Sequence, residues 1–91
     1  MTAPRTEALL SALRPRGLRE RAHLALSGGW SAAQVLERLP AGDRAGVGAA
    51  DVQAALDRLV QAGTVARTRA KLRVEIAGKG ARDVLVDVYR A

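Results

Sequence analysis

Arginine supplies most of the reactive chemistry in this chain. Thirteen Arg and two Lys outweigh nine Asp and Glu, giving a net charge of +6 and a pI near 11.3. A surface guanidinium or ammonium can neutralise a phosphate and release its counterion, so a polyanionic partner is expected. The charge is unevenly spread. Residues 1–27 carry Arg5, Arg14, Arg16, Arg19 and Arg21 and sum to +3, residues 28–63 sum to −1, and residues 64–91 sum to +4. The two ends of the chain are therefore the expected basic surfaces. The excess of Arg over Lys accompanies abundant Ala, as a GC-rich genome would produce, and carries no functional weight.

Covalent and metal chemistry is poorly provided for. There is one histidine, His23, and no cysteine, which removes disulfides and thiolate metal sites. Ser11, Ser27 and Ser31 suggest no nucleophile and base pair. The glycines are dispersed as turn and cap residues, and none forms a phosphate loop followed by Lys and Ser or Thr. A non-enzymatic protein without cofactor or metal is expected, with His23 in surface or boundary packing. No apolar run approaches about 18 residues, and MTAPRTEA lacks the apolar segment of a signal peptide. A soluble cytoplasmic protein that does not enter membranes is the expectation.

These charges need a scaffold, and 91 residues allow one small core. Phe is absent and Trp30 and Tyr89 are the only aromatics, so Ala, Leu and Val must fill it. The chain is organised around VGAADVQAALDRLVQAGTV, residues 47–65, where Val52, Ala55, Leu56, Leu59 and Val60 recur at helical spacing. A helix over 49–62 is predicted, with Gly63 as the left-handed residue after it and Val65 opening the next segment.

Residues 1–5 read as an arm, and Thr6 as the cap of a short helix carrying Leu9, Leu10 and Leu13. That helix either docks on the domain or mediates a homodimer, because alone it would not stay ordered. Pro15 interrupts it. A second helix is predicted over 18–27, with Leu18, Ala22, Ala25 and Leu26 inward and Arg19, Glu20 and His23 outward. Gly28 and Gly29 end it. Trp30 follows in a short extended piece, as a core residue where that piece meets a sheet. Ser31 and Gln34 match a capping box that opens a third helix over 32–39, with Val35, Leu36 and Leu39 buried. Residues 40–46 read as a turn region. The domain boundaries are 1–17 for the arm and short helix and 18–91 for the main domain.

After Gly63 the period changes to two. Leu72, Val74 and Ile76 alternate with Lys71, Arg73 and Glu75; Val84, Val86 and Val88 alternate with Asp83, Leu85 and Asp87. A hairpin with one buried face is predicted, its tip formed by the five residues from Gly78 to Arg82. The register expected pairs Ile76 with Val84, Val74 with Val86 and Leu72 with Val88, which sets Arg73 opposite Asp87. A shift by two would set Glu75 opposite Asp83, like charges that repel.

The order of helix, short extended piece with Trp30, helix, turn, helix and hairpin resembles the winged helix-turn-helix family of bacterial DNA-binding domains. VGAADVQAALDRLVQAGTVAR is similar to the second helix of the turn-helix unit in multidrug-resistance-type and gluconate-operon-type repressors. The likeness spans about residues 18–90. It implies an α+β fold with a three-helix core, an N-terminal helix and a C-terminal β-hairpin wing. By the same resemblance the 49–62 helix enters the major groove, with Ala49, Ala50, Gln53 and Ala54 toward the bases, and the hairpin reaches the backbone or minor groove. The connection from Pro40 to Val47 is longer than the family's short turn, which implies an insertion.

Of those helix positions, Gln53 can bond adenine in two places, and Ala50 and Ala54 offer methyl contacts to thymine. Asp51 suits the first turn of a helix, and Asp57 reads as a solvated residue. Arg67, Arg69, Lys71, Arg73, Lys79 and Arg82 on the hairpin, with Arg16 and Arg19 near the N-terminus, are the candidate phosphate contacts. The leading expectation is a small DNA-binding protein, a transcriptional regulator or DNA-associated factor acting on double-stranded DNA. The alternative is a winged helix for protein contact through the small residues of the 49–62 helix, without direct DNA binding.

Overall fold

The computed structural model describes residues 3–91. It is an α+β arrangement of five helices and one three-stranded antiparallel sheet. The helices are α1 (Thr6–Leu13), α2 (Gly17–Ser27), α3 (Ala32–Arg38), α4 (Ala41–Arg44) and α5 (Ala49–Gln61). The strands are β1 (Trp30–Ser31), β2 (Ala66–Ile76) and β3 (Gly80–Arg90), in the order β1-β3-β2.

α5 forms as its spacing predicts. Val52, Ala55 and Leu56 are buried, with Leu59 and Val60 packed against them. At its C-terminal end the Gly63 amide donates to the Val60 carbonyl and the Thr64 amide to the Leu59 carbonyl, both at 3.0 Å. That pairing needs a left-handed residue after the cap, and Gly63 supplies it at φ +79°. At its other end the Asp51 carboxylate accepts the Gly48 amide at 2.9 Å. α3 opens on the expected capping box: the Gln34 amide donates to Ser31 Oγ at 3.2 Å, and the Ser31 amide to Gln34 Oε1 at 2.9 Å. Val35 and Leu39 are buried beneath it.

α1 contributes Ala8, Leu9, Ala12 and Leu13 to the same core as α3 and α5. The leucines of the N-terminal helix are thus consumed within the chain, and one core spans both sides of the boundary expected at residue 17. Arg5, not Thr6, stands at the cap position, and no side chain caps the helix. Of the expected arm, Met1 and Thr2 lie outside the described residues. Pro4 is buried, and Arg5 holds Asp43 through two bonds of 2.8 and 3.0 Å. The stretch 40–46 is not only turn, because α4 forms within it and supplies that Asp43.

α2 overturns the expected orientation. Leu18 and Leu26 are 83% and 91% exposed, and Ala22 and Ala25 also face solvent. The inward side is Glu20, His23, Leu24 and Ser27, all half-buried. The reason lies in the partners. Glu20 pairs with Arg38 and accepts the Arg16 amide, while the His23 ring stacks on Trp30 with centroids 4.4 Å apart. Trp30 is buried as expected, and its Nε1 donates to the Leu13 carbonyl at 3.1 Å. The Arg38 guanidinium lies 3.9 Å from the Trp30 ring and donates to the carbonyls of Ala12 and Arg14, both at 2.7 Å. Polar groups with partners this specific fix the helix face against the pull of two leucines.

The hairpin register also differs from expectation. Leu72 pairs with Val84, Ala70 with Val86 and Thr68 with Val88, a slip of four residues from the predicted alignment. Because the slip is even, Leu72, Val74, Ile76, Val84, Val86 and Val88 still share one face. Two effects favour the observed register. Gly78 and Gly80 both adopt positive φ, so the chain reverses over Ala77, Gly78 and Lys79 and the strands run on to Gly80. Arg73 then faces Asp83 and Arg69 faces Asp87, two opposite-charge pairs where the predicted alignment has one. The expected buried face is only partly so: Val88 is buried, but Val74 and Val84 are exposed toward the tip.

Candidate nucleic-acid interface

The outer face of α5 follows from the burial of its inner one. With Val52, Ala55 and Leu56 inward, Ala50, Gln53 and Ala54 are left exposed and Asp57 half-exposed on the opposite side. Asp57 is not a solvated residue. Its Oδ1 accepts the Tyr89 hydroxyl at 2.8 Å and the Arg67 guanidinium at 2.9 Å. The Tyr89 phenol is pushed up to about 12, first by burial and then by its bond to the Asp57 carboxylate. The Arg67 guanidinium is held more firmly protonated by the same carboxylate.

This three-residue latch joins the hairpin to α5 and fixes which strand face looks toward the helix. Arg67 and Tyr89 pair across the two strands, and both bond α5. Alternation along β2 then sends Arg69, Lys71 and Arg73 to that same face. Ser31, Ala49, Gln53, Asp87 and Tyr89 border one cleft there, between the start of α5 and β3. Gln53 thus stands beside the Arg69–Asp87 pair, whose Nε and Oδ1 are 3.6 Å apart.

Arg67, Arg69, Lys71 and Arg73 thus share the strand face on which Arg67 and Tyr89 bond α5; Gln53 borders a cleft with Asp87 and Tyr89, whereas Ala54 borders a separate one with Ala3, Asp51 and Arg58. The structure does not bring the other candidates to the same face. Arg82 pairs with Val74 at an even position and projects to the opposite side, Lys79 sits in the tip, and Arg16 and Arg19 lie at the start of α2. Among the described residues, Lys71, Arg73, Lys79, Arg82, Arg16 and Arg19 make no ion pair within 4.0 Å. Arg67 is engaged by Asp57, and Arg69 more loosely by Asp87.

His23 also departs from its expected outward place. Its ring is packed on Trp30, and its Nε2 is buried without a hydrogen-bond partner among the described residues. No group of three or more His, Cys, Asp or Glu side chains among the described residues could hold a metal ion. No helix among them is long and apolar enough to cross a membrane. Sequence reasoning missed Arg38 as the tie between α1, α2 and Trp30, and Tyr89 as the partner of Asp57. Tyr89 did carry a signal. It is an apolar ring at an odd position among Arg67, Arg69 and Asp87, which marks the base of the charged face as covered.

Comparison with protein-family models, with curated proteins and with solved structures finds no match to this chain.

Proposed function

We propose that the chain is a winged helix-turn-helix module that binds double-stranded DNA, with α5 toward the major groove and the β2–β3 hairpin as the wing. The observation that carries this reading is the fate of the two carboxylates on α5. Free carboxylates on a groove-facing helix would be repelled by phosphates, and neither is free. Asp51 accepts the Gly48 amide, and Asp57 is bonded to Tyr89 and Arg67. The exposed side of α5 then offers Ala50, Gln53 and Ala54, and the hairpin carries a row of cations on the strand face that bonds α5 through Arg67 and Tyr89. α4 occupies the insertion between the two helices of the turn-helix unit, α3 and α5.

Affinity in this reading comes from phosphates and is weakly dependent on sequence, since Lys71, Arg73 and Lys79 position the duplex without reading it. Gln53 is the one base-reading side chain of the helix face able to bond a base pair twice. Anisotropy titrations against unrelated duplexes at two salt concentrations test it. Binding should fall steeply with salt. Replacing Arg69, Lys71, Arg73 and Lys79 together by Ala should flatten the log–log slope by about one unit for each phosphate that is no longer neutralised. A quadruple variant that binds every duplex as tightly as the parent, with the same slope, overturns the proposal.

A further inference from the structure

α2 presents to solvent the side that a surface helix normally buries. Leu18, Ala22, Ala25 and Leu26 fall within about 100° of one another around the axis. The opposite side is fixed inward by the Glu20–Arg38 pair and the His23–Trp30 stack. The leucines therefore cannot turn in without breaking both. Two leucines exposed at 83% and 91% on one eleven-residue helix form a stripe of the kind that marks an interaction surface.

The charges around the stripe select its occupant. Arg19 and Arg21 flank it on its two sides, both exposed, and the only acid of α2, Glu20, is turned inward and engaged. A second copy laid antiparallel on the stripe would bring the two Arg21 side chains together at its centre, with Arg19 of each copy on the rim and no carboxylate on α2 to offset them. Like charges so placed disfavour self-pairing. A lipid surface is a poorer match as well, because the stripe holds no aromatic residue and only two leucines. We infer that the outer face of α2 docks an acidic amphipathic helix of another protein, whose leucines pack between Leu18 and Leu26 over Ala22 and Ala25 and whose carboxylates meet Arg19 and Arg21. The small residues at the centre let the two backbones approach closely. This surface is independent of the DNA reading, because α2 carries none of the α5 or hairpin residues invoked there.

The test uses the full chain and a fluorescein-labelled synthetic peptide with leucines at positions i, i+3, i+4 and i+7 and glutamates on both flanks. A scrambled peptide of identical composition controls for charge alone. The patterned peptide should bind at least about ten-fold more tightly than the scrambled one. Leu18→Asp and Leu26→Asp should each weaken it about ten-fold or more, and Arg19→Glu with Arg21→Glu should do likewise. Lys79→Ala with Arg82→Ala should leave peptide binding unchanged, which separates this surface from the wing. Both leucines are exposed, so the variants should keep the parent melting temperature, and Ala25→Arg gives a second block that removes no apolar group. Equal binding of the two peptides, or binding indifferent to Leu18, Ala25 and Leu26, overturns the proposal. So does a dimer in sedimentation that Leu26→Asp dissociates, which would make the stripe a self-interface. Binding to phosphatidylserine-containing vesicles that Leu26→Asp abolishes would equally overturn it, by making the stripe a membrane face.

Discussion

α5 and α2 are both amphipathic by sequence, and they are installed in opposite senses. α5 turns Val52, Ala55 and Leu56 to the core and leaves Ala50, Gln53 and Ala54 outside. α2 turns Glu20, His23 and Ser27 inward and leaves Leu18, Ala22, Ala25 and Leu26 in solvent. Apolar periodicity thus establishes that a helix has two faces without establishing which of them is buried. That choice depends on what the rest of the chain offers, and α2 is met by the Arg38 guanidinium and the Trp30 indole. Substitutions on each face of each helix put this contrast at risk.

The largest effect should come from the apolar anchor of α5. Leu56 is fully buried among Val35, Val52 and the α1 leucines of the same core. Leu56→Ala should destabilise the protein by roughly 2 to 5 kcal/mol in urea or thermal melts, a large share of what so small a domain has. A melt that hardly moves would mean that α5 is not held by its apolar side.

Next should come the polar anchor of α2. Arg38, with a side chain only 12% exposed, donates to two carbonyls at the end of α1 and covers Trp30. Arg38→Met keeps the bulk and removes the donors, and should cost about 1.5 to 3 kcal/mol. Trp30 is the single tryptophan, so its emission should shift to the red as the site loosens. A stable variant with unchanged emission would leave the inverted placement of α2 without its cause.

Acid titration probes the same anchor from the carboxylate side. The Arg38 guanidinium and the Arg16 amide hold the Glu20 carboxyl below its ordinary value of 4.5. Below that value the unfolded chain binds a proton that the folded chain resists. The stabilisation is therefore present above about pH 4.5 and is lost as pH falls through the depressed folded value. Asp43, lowered by Arg5, acts in the same sense. Glu20→Gln should make acid unfolding less steep, as followed by circular dichroism against pH. A variant whose acid transition superimposes on the parent's would separate Glu20 from the docking of α2.

How much of the fold and of the interface is legible in the sequence follows from the range of each interaction. The ends of α3 and α5 are legible because Ser31 with Gln34, and Gly63 with Leu59 and Val60, act within a few residues. The hairpin faces are legible because alternation survives any even slip. The register is not, since it turns on Gly78 and Gly80 permitting a three-residue reversal where the sequence suggests five. Glu20 with Arg38, Trp30 with Leu13 and Asp57 with Tyr89 join distant positions, so α2's inward face and the latch on α5 stay hidden until the chain is folded. For the candidate interface this turns Asp57 from a solvated residue into a structural acceptor.

That latch gives a smaller, spectroscopic effect. Tyr89 is the only tyrosine, and its phenol is raised to about 12 by burial and by Asp57. Ultraviolet titration should place its ionisation near that value. Asp57→Asn should bring the midpoint down toward the ordinary value of 10, with burial keeping part of the elevation. The neutral phenol is the form favoured in the folded chain, so this contribution to stability is complete below about pH 10 and is lost between there and about 12. An unmoved midpoint in Asp57→Asn would detach the hairpin from α5 at this point and remove the geometric basis for aligning Lys71 and Arg73 with the helix.

The smallest effect is the most telling, because the two helices should differ most where the residue type is the same. Leu26 occupies on α2 a position that amphipathic reading assigns to the core, as it assigns Leu56 on α5, yet the first is 91% exposed and the second is fully buried. Leu26→Ser exchanges an exposed isopropyl group for a hydroxyl and leaves no cavity behind, so its cost should stay within about 0.5 kcal/mol. Solvation of the new hydroxyl can make the change slightly favourable in dilute, partner-free solution. Leu18→Ser should behave alike, and the two should add without coupling, since each stands in water. Side-by-side urea melts of Leu26→Ser and Leu56→Ala read the difference directly through their midpoints at constant m-value. A loss of about 2 kcal/mol or more at Leu26, the size expected of a buried leucine, would mean that the side chain is buried in solution, and α2 would then be an ordinary helix with its leucines turned inward.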